Sequence, residues 1–502
     1  MSFNSGKFLI FFPCAVIIYY LLPKKVRKIW LLMCSYYFYM AWNPKYIVLL
    51  LSTTLVTYAS GIGLSYLDNN KEKTTQIKRK AVVALSVVIN LSMLIYFKYM
   101  GFFMTSVNRV ITSVFNGSPM NIDWALNIVL PVGISFFIFQ ALSYTIDVYR
   151  GNVKAEKNII NYALFVSFFP QLVAGPIERS GNLLSQIRDI SIKKLGNYEG
   201  IIRGLILMLW GFFMKVVIAD RISMITDPVF DEYEKYGSSM LILAAVGFTI
   251  QIYCDFAGYS MIAIGAAKVM GIKLMENFDT PYFSGNIREF WTKWHISLSS
   301  WLRDYLYFPL GGSRCSKGRT YFNLMVTFLI SGLWHGAAAK YVVWGGIHGV
   351  LQIISRAFMH VREQFIKKFN VKQGFIFTAI EIIVNFIVVT FAWIFFRAGS
   401  FKQAIDIIIN IFMKPDIRQF INEKGFTAVA SQRDIMIIVA AGTVLFVVDL
   451  LKKIKGKTID MLLMETVYPI RAAVIIFLFF FIIIFGQYGE DVYTQPFVYF
   501  QF

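Results

Sequence analysis

Apolar runs of roughly 15–25 residues recur along this chain from Phe8 to Phe485, and a helix needs about 20 mostly apolar residues to cross a bilayer. Nothing much longer than a loop separates them. The pattern predicts an all-α polytopic membrane protein folded as one integral domain over 1–502. Of the 502 residues 57% are hydrophobic and 16% charged, against about 45–50% and about 25% in soluble domains. That balance excludes secreted, fibrous, disordered and nucleic-acid-binding classes. A net charge of +20 would suggest nucleic acid in a soluble protein. Here the basic residues sit in short loops between apolar runs, where they set topology and meet anionic lipid.

The loop charges orient the chain. Lys24, Lys25, Arg27 and Lys28 follow the first run, Phe8–Leu22, with only Lys7 before it. The N-terminus is therefore read as outside, and the run as a retained anchor. Runs near 29–43, 46–66, 81–104 and 125–149 alternate past the basic loop 68–80 and past Arg150, Lys154 and Lys157. The stretch 159–175 has basic residues on both flanks and contains Pro170, so it reads as re-entrant. Spans near 200–219, 240–258, 320–337, 341–357, 375–396, 433–451 and 468–486 follow, with an acidic outer loop at 227–237. The alternation predicts about eleven to twelve crossings, with the C-terminus also outside. Lys402, Asp406 and Asn410 make one polar stripe on 401–413, an interfacial helix. No period of 20–50 residues repeats and the halves do not mirror each other, which weighs against an inverted-repeat transporter.

Polarity inside the apolar region concentrates in GNIREFWTKWHISLSSWLRDYLYFPLGG (285–312), too polar to cross lipid as a plain helix. His335 is the second such feature, in LISGLWHGAA near the end of a span, flanked by Gly332 and Gly336. Ionisable groups at membrane depth are costly and mark function; the competing reading is a packed histidine bonded to a carbonyl. His295 and His335 lie on different elements that can converge on one cavity. A neutral imidazole can take the proton of a hydroxyl as it attacks an ester or thioester. No Ser or Cys nucleophile has a recognisable context, which favours direct transfer. His348, in WGGIHGV, reads as packing between close helices, and His360 as solvated. Asp255, in YCDFAGYS, is either a cavity residue or a helix-end group. Cys14, Cys34, Cys254 and Cys315 have no paired spacing and predict neither disulfide nor metal site.

These segments resemble the membrane-bound O-acyltransferase (MBOAT) family, in its bacterial branch for alginate and peptidoglycan O-acetylation and teichoic-acid D-alanylation. The resemblance runs from about 125 to 350 through PVGISFFIFQALSYTIDVYRG (131–151), FFPQLVAGPIERS (168–180), YCDFAGYSMIAIG (253–265), ENFDTPYFSGNIREFWTKWHISLSSWLRDYLYFPLGG (276–312) and GLWHGAAAKYVVWGGIHG (332–349). It implies His335 as the catalytic histidine and His295 as the second active-site histidine. It also implies a central funnel lined by Gln171, Asp255, Trp294, Ser297, Trp301, Arg303, Asp304, Tyr305, Tyr307 and Trp334. Met261 stands where an aspartate is common, so no role for that carboxylate transfers.

The implied reaction moves an acyl group, acetyl by preference, from acetyl-CoA or another cytoplasmic thioester to a hydroxyl at the outer face, with no bound cofactor. An extracytoplasmic SGNH or esterase-like transferase would finish the acylation on a cell-envelope polysaccharide. An acyl carrier protein delivering D-alanine to teichoic acid is the neighbouring alternative. A transporter or flippase, or a non-catalytic scaffold, are the alternatives of another class. In the aromatic tail (487–502), TQPFVYFQF (494–502) lets Tyr499 be an acyl relay by resemblance, or part of an interfacial aromatic belt. The implied location is the bacterial plasma membrane.

Overall fold

The computed structural model describes residues 1–502 except 68–72, 116–117, 119, 174, 192–196, 369–373, 423–428, 489–496 and 498–502, and only the backbone of 360, 365, 366, 418, 419 and 422. The relay candidate Tyr499, Lys193, Lys194 and parts of two basic loops lie outside the described residues. The described residues form helices and no strand. Among the described residues eight helices are long and apolar enough to cross a membrane, including Lys73–Val114, Ser238–Val269, Phe375–Arg397 and Tyr468–Phe485. The chain is an all-α, multi-pass membrane protein. On the final helix Ile482 is the buried residue, and a surface this apolar is stable against lipid rather than water.

The chain divides into two compact units, one of Met1–Leu205 with Ala263–Met275, the other of Ile206–Ile262 with Glu276–Phe502. In the first, the span expected from 125 begins only at Ile134, because Pro131 and Gly133 interrupt it. Gly133 has φ 76° and lies so close to the backbone that a Cβ would come within 2.4 Å of the Leu172 oxygen. The 159–175 stretch is broken into Ile159–Ser167 and Phe169–Leu172, both too short to span. At the break the Phe169 amide donates to Ser35 Oγ at 3.1 Å. Protein covers the irregular backbone there, as membrane depth requires.

In the second unit the helix expected to leave the membrane at 219 passes through a π-helical turn, Phe213–Ala219, and continues to Asp231. The acidic loop expected from 227 thus begins as helix. Arg397 Nη2 binds Asp227 there at 2.6 Å, and near the start of the same helix Arg221 binds Asp434. The amphipathic segment forms helix Phe401–Met413, with Ala404 and Ile407 buried and Lys402 exposed.

Helices Lys317–His335 and Ala339–Lys368 make a hairpin with three residues between them. Glycine lets its backbones touch. A Cβ on Gly332 would stand 2.1 Å from the Tyr341 oxygen, and one on Gly345 2.3 Å from the Phe328 oxygen. Gly345→Ala is expected to push the helices apart and cost about 1–3 kcal/mol, as overpacking does. Gly346→Ala, whose Cβ would find Leu329 at an ordinary 3.5 Å, is the control. Thermal unfolding in one detergent compares them, and equal midpoints would remove the role given to the close approach.

Candidate active site

The polar stretch 285–312 folds as three short pieces: Ile287–Lys293, Ile296–Leu302 and a π-helical turn, Arg303–Tyr307. The first break falls at Trp294–His295. His295 has φ 44°, left-handed backbone that a non-glycine residue rarely adopts. Such strain persists only where the surroundings over-determine it, and here the segment 276–280 does so. The Ile296 amide donates to the Asn277 carbonyl at 2.9 Å, and the Ser297 amide to Asn277 Oδ1 at 3.3 Å. The Asp279 amide donates to the Lys293 carbonyl at 3.0 Å, and Asn277 Nδ2 to Ser260 Oγ at 3.1 Å. Asn277, unremarked in the sequence, is the clamp that sets the turn.

The turn delivers His295 to His335, the last residue of its helix. Both are buried, at 0% and 2% exposure, and their ring centroids lie 6.3 Å apart. Trp334 touches both imidazoles, at 5.8 Å and 5.0 Å. Phe256 meets His295 edge-on at 4.6 Å, and Trp344 and Phe396 close on His335 at 5.1 Å and 5.6 Å. Trp294 is fully buried and packs on Trp393 at 5.0 Å. Burial pushes the His295 imidazole, at the break outside the spans, down to about 3, so it is neutral at physiological pH. Gly332 and Gly336, which flank His335, let Tyr341 approach closely: a Cβ on Gly332 would stand 2.1 Å from its backbone oxygen and one on Gly336 2.2 Å from its ring.

The remaining sequence candidates separate. Ser297 is buried in the turn itself. Trp301 packs on Tyr305 at 5.0 Å, and Arg303 Nε pairs with Asp304 Oδ1 at 2.9 Å in a half-exposed group that includes Tyr307. Gln171 belongs to the other unit, where its amide donates to the Phe165 oxygen at 2.9 Å. Asp255 is not a helix-end group: it sits mid-helix, with its oxygen 2.5 Å from Lys215 Nζ. Lys215 also holds Asp220 at 2.7 Å, and all three side chains are 2–3% exposed. Sequence reading passed over Lys215 and Asp220, although a lysine inside GFFMKVVIAD is a visible signal. Asp255 directly precedes Phe256, so this ion triad anchors the helix that supports His295. Phe497, in the aromatic tail, stacks on Tyr259 at 4.5 Å and meets Phe256 at 5.6 Å. Among the described residues no cluster of His, Cys, Asp and Glu is arranged to hold a metal.

The fold is that of a polytopic helical membrane protein in which two buried imidazoles meet. Residues 31–396 match the membrane-bound O-acyltransferase (MBOAT) family; the chain belongs to that family and is an O-acyltransferase. It is 39% identical to the probable alginate O-acetylase AlgI of Pseudomonas aeruginosa over 407 residues, which covers 80% of this chain and 73% of that protein. It is 33% identical to the peptidoglycan O-acetyltransferase of Helicobacter pylori over 438 residues, 81% of this chain and 79% of that one. It is 29% identical to the teichoic acid D-alanyltransferase of Bacillus subtilis over 289 residues, 55% of this chain and 71% of that one.

Proposed function

We propose that this enzyme moves an acetyl group from a cytoplasmic thioester, acetyl-CoA by preference, to a hydroxyl at the outer face of the bacterial plasma membrane, for O-acetylation of a cell-envelope polysaccharide. The buried imidazole pair carries the reading. His335 is the general base: it takes the acceptor hydroxyl's proton as that oxygen bonds to the thioester carbonyl carbon. The C–S bond then breaks, and the proton passes from His335 to the leaving thiolate. His295 donates to the carbonyl oxygen as negative charge develops there. Burial favours both steps, because hydrogen bonds in a water-poor site are stronger and need no reorganisation.

Tyr499 receives the acetyl group and presents it to an extracytoplasmic esterase-like transferase, with both termini on the outer side. Phe497, two residues earlier, supports this assignment by packing against Phe256, the residue that also meets His295. The O-acetylating relatives resemble the chain over a larger share of its length than the D-alanylating one, which favours acetyl over D-alanyl. Purified protein in lipid, incubated with isotopically labelled acetyl-CoA, is expected to acquire label on Tyr499 and to lose it in Tyr499→Phe. Label that persists in the variant removes the relay. If labelled D-alanyl carrier protein works where acetyl-CoA fails, the donor assignment is replaced.

A further inference from the structure

His348 lies on helix Ala339–Lys368, one turn beyond Trp344, with a side chain that is fully buried. Its Nδ1 is 3.3 Å from Trp291 Nε1. An indole N–H can only donate, so Nδ1 is the acceptor and the proton of the neutral ring sits on Nε2. That Nε2–H has no acceptor among the described residues. The same holds for the indole N–H of Trp344 and of Trp294, both fully buried. The rings form one continuous group: Trp344 touches His348 at 4.9 Å, Trp393 at 5.3 Å and His335 at 5.1 Å, and Trp393 touches Trp294 at 5.0 Å. A buried donor left unmet is costly, and those of His348, Trp344 and Trp294 fall in one aromatic cluster beside His335.

The chemistry of the missing partner follows from the donor set. All three groups give protons and none takes one. A sugar hydroxyl bound to one of them would leave its own proton unmet. A carbonyl oxygen has two lone pairs and no proton, and so suits the His348 donor. We propose that His348 is a substrate-binding residue whose Nε2–H holds a carbonyl oxygen of the acyl-thioester donor, either the acyl carbonyl or an amide carbonyl of its pantetheine arm. The assignment rests on the acyl-transfer reading. It gives the donor a place beside Trp344, which touches both His348 and His335, and leaves the acceptor hydroxyl to His335.

The chain has four histidines, so ¹⁵N-histidine NMR of the protein in lipid nanodiscs resolves each, with His348→Gln identifying its own resonance. The expected free-state signal is a neutral ring protonated on Nε2. Two non-hydrolysable coenzyme A thioethers serve as probes: S-acetonyl, which keeps the acyl carbonyl, and S-ethyl, which lacks it. A His348 shift with both assigns the bond to an arm amide, and a shift with the acetonyl compound alone assigns it to the acyl carbonyl. An Nδ1-protonated ring overturns the proposal, as does an unmoved His348 while His295 or His335 responds, which would leave Nε2 to water. If no histidine responds, the thioester reading fails and takes this one with it. In turnover, His348→Phe is expected to raise KM for the donor about tenfold with kcat little changed, and His348→Gln, which keeps an N–H near the Nε2 position, to recover most of that loss. Equal impairment of both in folded protein reduces His348 to packing.

Discussion

Replacing His335 with alanine is expected to lower kcat/KM for thioester-dependent acyl transfer by about 10²–10⁴-fold, the usual worth of a positioned general base. The loss should fall on kcat more than on KM, because proton removal matters in the transition state and not in binding. The ring packs on Trp334, Trp344 and Phe396, so removing it also costs stability. His335→Gln keeps most of the volume but offers no base, and it should be as inactive as alanine while unfolding closer to the parent. Steady-state kinetics on both variants in nanodiscs, with thermal unfolding alongside, decides the matter. A glutamine variant within about tenfold of the parent would take the base role away from His335.

The second large effect lies in the ion triad. Lys215→Met leaves Asp220 and Asp255 buried without the ammonium that lies 2.7 Å and 2.5 Å from them. Removing one member of a buried pair costs about 3–5 kcal/mol, far more than the pair contributes over an apolar replacement. The single variant should therefore unfold well below the parent. Lys215→Met combined with Asp220→Asn and Asp255→Asn removes the charge altogether and should recover most of the loss. Transfer should follow stability, since Asp255 precedes the phenylalanine that backs His295. If the triple variant unfolds no later than the single one, charge compensation is not what the lysine supplies.

Sequence singled out His335 through the cost of an ionisable group at membrane depth, and the resemblance added His295; the structure brings the two rings to 6.3 Å. The broken character of 159–175 and 285–312 follows equally from Pro170 and from the density of charge. Pairing across the fold was not legible. Lys215 and Asp255 meet where two helices cross closely: a Cβ on Gly211 would stand 2.5 Å from the Gly258 oxygen, and one on Gly258 2.7 Å from the Gly211 oxygen. Two glycines in separate apolar runs carry no mark of facing each other. Helix ends failed for a related reason. The continuation to Asp231 depends on Arg397 reaching Asp227 and Asp231 and on a π-helical turn, and periodicity registers neither. The turn at His295 hid behind its own side chain, because histidine in left-handed backbone has no local signature and is imposed here by Asn277.

That turn changes what mutagenesis at position 295 measures. For an L-residue with a Cβ the left-handed conformation costs roughly 1–2 kcal/mol, which glycine avoids and asparagine carries more easily than alanine. An alanine there loses the imidazole yet keeps the backbone penalty, whereas a glycine loses both. The comparison of His295→Gly with His295→Ala therefore separates the ring's chemistry from the conformational tension of its peptide unit. An alanine scan read alone would assign to the imidazole whatever part of the deficit belongs to the main chain.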